Sequence, residues 1–185
     1  MYVSNRKSPH DLPVMSVEDF RAHRTVVLLD DFLTHTLPLR DLYKSARYQC
    51  DDIHFRHLRA LLDTHYKEQL ALVDVLVDRI RALGGASRVL AGAFLQGTPS
   101  CYALRGQCAP NRLLCDLLEA HESVLSAAYT AGTYGLRADP SALHDFAAGQ
   151  VMLANNLQRS SVEEQLVRLD QVRRFAISIG ANAHE

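Results

Sequence analysis

A chain of 185 residues with 20 Lys and Arg against 21 Asp and Glu has a formal net charge of -1, so total charge gives no sign of a nucleic-acid binder. Its hydrophobic content of 48% excludes a disordered chain, and its length suits one domain with a proper core. The absence of any 18-residue apolar run argues against a membrane span, and the opening MYVSNRKSPHDLPVMSVEDF offers no apolar segment suited to a signal peptide.

Residues 1–15 read as an extended arm, with Pro9, Pro13 and a few cations, Arg6 and Lys7 beside His10. Ser16 is placed to cap a first helix, with Glu18 and Asp19 near its positive end. Helical spacing continues through Phe20, Val27, Leu28, Phe32, Leu39, Leu42 and Tyr43 toward Cys50. Pro38 interrupts it, so a kink or two consecutive helices is expected there. Asp51-Asp52 end this element.

The stretch from Phe55 to Gly85 carries the longest pattern. Phe55, Leu58, Leu62, Tyr66, Leu70, Val73, Leu76, Val77, Ile80 and Leu83 follow steps of three and four, one helix with one buried face. Gly84-Gly85 supply a left-handed cap. Asp74 and Asp78 are four apart and share a face. Asp63 lies about three turns earlier at a similar azimuth. Carboxylates in register beside an apolar stripe are what a metal site in a helical bundle requires.

Between Gly84 and Pro110 the pattern weakens into a connection. Cys101, Cys108 and Cys115 are spaced by seven, but no His or fourth Cys completes a tetrahedral metal set, and small buried residues is the plainer role. With Cys50 they follow no familiar disulfide spacing, which suits a reduced cytoplasm. A third helix opens at Pro110 or Asn111 and runs to about Thr130, where GTYGLRADP breaks it. Asp139 and Pro140 open a fourth, carrying Leu143, Phe146, Val151, Leu153 and Leu157. Ser161 with Glu164 makes a capping box for a fifth, amphipathic segment through Ile179.

These residues together resemble the Dps family of miniferritins. In its second helix an aromatic residue is followed by a His at four and an Asp at eight. A second Asp and a Glu come later, before an E-R-I-x-x-L-G-G ending. Here Phe55, Arg59, Asp63, Asp74 and Asp78 precede Arg79-Ile80-Arg81-Ala82-Leu83-Gly84-Gly85. Arg47-Tyr48 stand where the family has a His-Trp pair. LLCDLLEAHESVL and AAGQVMLANNL resemble the third and fourth helices, so the likeness covers residues 25–158.

The resemblance implies an all-α, ferritin-like four-helix bundle over residues 16–160. It has a long crossover, and residues 161–185 add a C-terminal helix and tail. It implies a hollow homo-oligomeric shell, a dodecamer, in the cytoplasm, with iron storage and protection of DNA as its work. In the family the iron centre forms between two subunits. Its positions here are Arg47, Arg59 and Asp63 on one side, Asp74 and Asp78 on the other.

Guanidinium has no lone pair for iron(II) and repels it. An arginine set beside a carboxylate solves the same electrostatic problem without metal, and Arg59 and Asp63, four apart, can pair. No catalytic residue is singled out. One reading is therefore a shell or binding protein whose metal site has become an ion-pair cluster, with weak or absent DNA binding. The other is an active iron-oxidising miniferritin using Asp63, Asp74 and Asp78, with His54 as a further ligand. An unrelated hydrolytic or signalling bundle lacks any Ser-His-Asp or Cys-His pairing. His57, His65, His121 and His144 read as lone surface or core residues.

Overall fold

The computed structural model describes residues 16–50, 55–90, 92, 109–138 and 146–182. Its elements are α1 (Val17–Gln49), α2 (Arg56–Ala82), α3 (Pro110–Ala138), a π-helical segment (Phe146–Met152), and α4 (Leu153–Asn182). No strand occurs among the described residues. The expected helical bundle is what the chain forms. The arm at 1–15, His54, Cys101, Cys108, the Asp139-Pro140 cap and His144 lie outside the described residues.

Ser16 starts α1 with a reciprocal capping box. The Asp19 backbone N–H donates to Ser16 Oγ at 3.0 Å, and the Ser16 N–H donates to Asp19 Oδ2 at 3.4 Å. The helix then passes through Pro38 as one element, so the alternative of two consecutive helices does not hold. Buried Leu33, Thr36 and Leu37 before the proline, and Leu39, Leu42 and Tyr43 after it, belong to one core. Burial of this size outweighs the roughly 3 kcal/mol that an internal proline costs.

α2 is unbroken, as its spacing requires. Its buried positions are Leu58, Leu62, His65, Gln69, Val73, Leu76 and Ile80, spaced throughout by steps of three or four. Leu70, expected inside, is 38% exposed, and polar His65 and Gln69 occupy the core register instead. Gly84 takes φ +72, a left-handed conformation that favours glycine. The Gly85 N–H then closes on the Ile80 carbonyl at 3.0 Å. A Cβ on Gly85 would meet both Val26 methyls at 2.7 Å, so this turn seats directly against α1.

α3 runs eight residues past the expected stop at Thr130. A helical glycine costs only about 1 kcal/mol relative to alanine. With Val124, Ala128 and Ala131 buried, Gly132 and Gly135 do not end the helix. The added C-terminal helical segment is present, as a direct continuation of α4. Ser161 therefore sits inside the helix, where its backbone N–H already has a helical partner, and caps nothing. α1 packs on α2 and α3, and α3 packs on α4.

Candidate functional site

Two polar constellations stand out, and the first contains Arg47 and Asp63, two of the residues the resemblance placed at the iron position. Arg47, near the end of α1, forms an ion pair through Nη1 with Asp63 Oδ1. Lys67 closes on the other oxygen, Asp63 Oδ2, at 2.7 Å. Held first by Lys67 and then by Arg47, the Asp63 carboxyl titrates below its ordinary range, and Asp63 in turn raises the Arg47 pKa. The guanidinium carbon also lies 4.8 Å from the Tyr48 ring centroid and 5.5 Å from that of Tyr66, within cation–π range. Arg47 Nη2 donates to the Tyr48 hydroxyl at 3.0 Å.

Asp63 is thus saturated by two cations of its own subunit. Arg59 is exposed on the outer face of α2, close enough to Cys50 to oppose the upward push of burial on its thiol. Asp74 and Asp78 are exposed on the same helix. Eleven residues separate Asp63 from Asp74, about 16 Å along the axis, so one subunit does not bring the three carboxylates together. Among the described residues no group of three or more His, Cys, Asp or Glu side chains comes together as a metal site. Cys115, expected as a small buried residue, is exposed on α3, because it falls outside the buried 113, 114 and 117 register.

The second constellation escaped sequence reasoning. It fills the bundle interior with Tyr43 from α1, His65 and Gln69 from α2, His121 from α3, and Asn155 and Gln158 from α4, all buried. The bond pattern fixes its proton positions. The Asn155 amide nitrogen donates to the Val151 carbonyl at 2.8 Å, so Oδ1 is its accepting end. His121 Nδ1 therefore carries the proton it donates to Asn155 Oδ1 at 3.1 Å.

Burial pulls the His121 pKa down to about 4, with His65 and Arg159 adding to the fall against the Asn155 bond. The ring is neutral and its Nε2 is bare. Tyr43 then donates its hydroxyl to His121 Nε2 at 2.6 Å. The same oxygen accepts from His65 Nδ1 at 3.2 Å, and burial also lowers the His65 pKa. Gln69 Nε2 donates to Gln158 Oε1 at 2.7 Å and Asn155 Oδ1 at 3.1 Å. Gln158 passes the chain outward to Glu68 Oε2 at 2.6 Å.

The signal for this cluster was available. His65 and Gln69 are four apart and stand three and seven residues beyond Leu62, which is core register. Polar identity hid the register.

A family model described as a ferritin-like domain matches residues 26–133. The chain belongs to that family. Within it the likeness runs to the Dps miniferritins. DpsC from Streptomyces coelicolor is 26% identical, superposing with a TM-score of 0.71 over 90% of this chain and 96% of that one. Dps from Thermosynechococcus elongatus is 18% identical, with a TM-score of 0.69 over 82% of this chain and 95% of that one. At 16% and 18% identity the likeness is of fold, as with an archaeal Dps homologue from Halobacterium salinarum, with a TM-score of 0.70 over 80% and 81% of the two chains. An uncharacterized protein in the bpoA2 5′ region of Kitasatospora aureofaciens is 32% identical over 130 residues, 66% of this chain and 81% of that one.

Proposed function

We propose that this is a Dps-like protein that assembles into a homo-oligomeric shell, a dodecamer as the family resemblance implies, in which iron oxidation at the inter-subunit position is reduced or lost. The observation that carries the reading is the Arg47–Asp63–Lys67 cluster. The residues present do not fit iron there. Two arginines stand at positions where the family offers imidazoles, and Asp63 spends both oxygens on cations.

In the assembly, Arg47 and Arg59 face Asp74 and Asp78 of a neighbouring subunit. Fixed cations then meet fixed carboxylates at the position where the family resemblance implies iron as substrate. The polar work of the site becomes adhesion. DNA binding is weak at physiological salt, because a net charge of -1 supports few phosphate contacts and little counterion release. No helix among the described residues is long and apolar enough to cross a membrane.

Metal analysis of the purified protein, together with sedimentation before and after chelator treatment, tests the proposal. A shell that sediments unchanged without metal is expected. One that carries stoichiometric iron and dissociates on chelation would overturn it.

A further inference from the structure

We propose that Tyr43 is a redox-active tyrosine, which yields one electron to a high-potential one-electron oxidant while passing its phenolic proton to His121 Nε2. The inference stands on the bundle interior and does not depend on the reading of Arg47 and Asp63.

The geometry has every part that such a step needs. Tyr43 is fully buried, and burial raises its pKa far above the ordinary phenol value, with Glu68 adding to the rise. Loss of the proton to water is closed to it. Removing an electron from a phenol that keeps its proton creates a cation in an apolar core, which low dielectric disfavours strongly. A bare imidazole nitrogen 2.6 Å from the hydroxyl oxygen removes that obstacle, because electron and proton can leave together.

Written out, the Tyr43 O–H bond breaks, the electron goes to the oxidant, and a new N–H bond forms on His121. The products are a neutral tyrosyl radical, a His121 imidazolium and an oxidant reduced by one electron. Reduction of the radical by one electron returns the proton along the same bond.

The neighbours suit the products as well as the reactants. The imidazolium keeps both N–H groups bonded, one to the Tyr43 oxygen and one to Asn155 Oδ1. The Tyr43 oxygen still accepts from His65 Nδ1. Both imidazoles meet the phenol edge-on, with ring centroids at 5.4 and 5.7 Å and interplanar angles of 85° and 69°, so each presents a nitrogen to the oxygen. The hydroxyl donates to one imidazole and accepts from the other, so its oxygen keeps a donor partner after the proton has moved. Enclosure also protects a radical from coupling with another tyrosine. Toward the surface, Tyr48 and Tyr66 flank Arg47, one helical turn from Tyr43, a short route for the electron.

The test is electron paramagnetic resonance on the full chain, oxidised by a photogenerated ruthenium(III) polypyridyl complex and frozen at increasing delays. The parent is expected to show a long-lived tyrosyl signal that forms more slowly in D2O. Tyr43→Phe is expected to lose that signal. His121→Gln, which can accept the hydrogen bond but not the proton, is expected to lose it too. The same long-lived signal in Tyr43→Phe, or an unchanged signal in His121→Gln, overturns the proposal. If either variant fails to fold, the parent alone decides through microwave saturation with a soluble nickel chelate. A buried Tyr43 radical is indifferent to the chelate, whereas a radical that relaxes faster in its presence is a surface tyrosine and refutes the assignment.

Discussion

Acidification should loosen this bundle in a window set by its buried histidines, before most of its carboxylates titrate. His121 is 0% exposed and titrates at about 4 in the folded chain, against 6.5 for the free side chain. The folded pKa is the lower one, so between these values the unfolded chain binds more protons and stability falls as pH falls. The full contribution is present above about pH 6.5 and is lost progressively toward pH 4. A difference of two and a half units corresponds to about 3 kcal/mol, of which about 2 is lost between pH 7.5 and pH 5. His65, also lowered by burial, adds in the same direction. Asp63 does not confuse the window, because Lys67 and Arg47 hold its titration below 3.8. Urea denaturation followed by ellipticity, at fixed protein concentration, measures the change across that range. In His121→Gln the slope should flatten even though the variant is less stable overall. A parent equally stable at pH 7.5 and pH 5, or a slope unaltered in the variant, would show that His121 is not buried neutral as argued.

Other outcomes follow from particular contacts. Gly85→Ala places a methyl 2.7 Å from the Val26 side chain and should cost about 1–3 kcal/mol in denaturant unfolding; no change would mean that the α2 turn does not seat on α1. Pro38→Ala restores a backbone donor inside α1 and should raise stability by about 1–3 kcal/mol, with a loss arguing that the proline shapes the helix. Arg47→Ala should shrink or weaken the assembly seen in sedimentation velocity, whereas Arg168→Ala, in a long and exposed pair with Glu164, should not.

The sequence made the bundle legible because its strongest signals were repeated. Steps of three and four persist for twenty-seven residues of α2, and Gly84 stops them with the backbone conformation it alone tolerates readily. Punctuation was less reliable where tertiary packing opposed it. Pro38, Gly132 and the Ser161 capping signal each suggest a boundary. Each lies within a continuous helix: Pro38 and Ser161 have buried residues on both sides, and Gly132 follows directly on buried Ala128 and Ala131. The Arg47–Asp63 contact was half visible. The family pattern brought both residues to one position, while the local four-residue rule pointed to Arg59 and missed Lys67, which satisfies the same rule from the other direction. The interior chain from Tyr43 to Gln158 was legible only in its α2 members, for a physical reason. Its members are scattered over four helices, and a polar residue in core register looks in sequence like an interruption of the stripe.

The central claim is that arginine has displaced iron at the inter-subunit position. Ferrous oxidation by the parent and by the double variant Arg47→His with Arg59→His, measured side by side at equal subunit concentration, addresses it directly. The account predicts a slow parent and a faster double variant, since the substitution removes two fixed cations and supplies two imidazoles beside Asp63. A parent that already oxidises iron rapidly, with the double variant no faster, would contradict it.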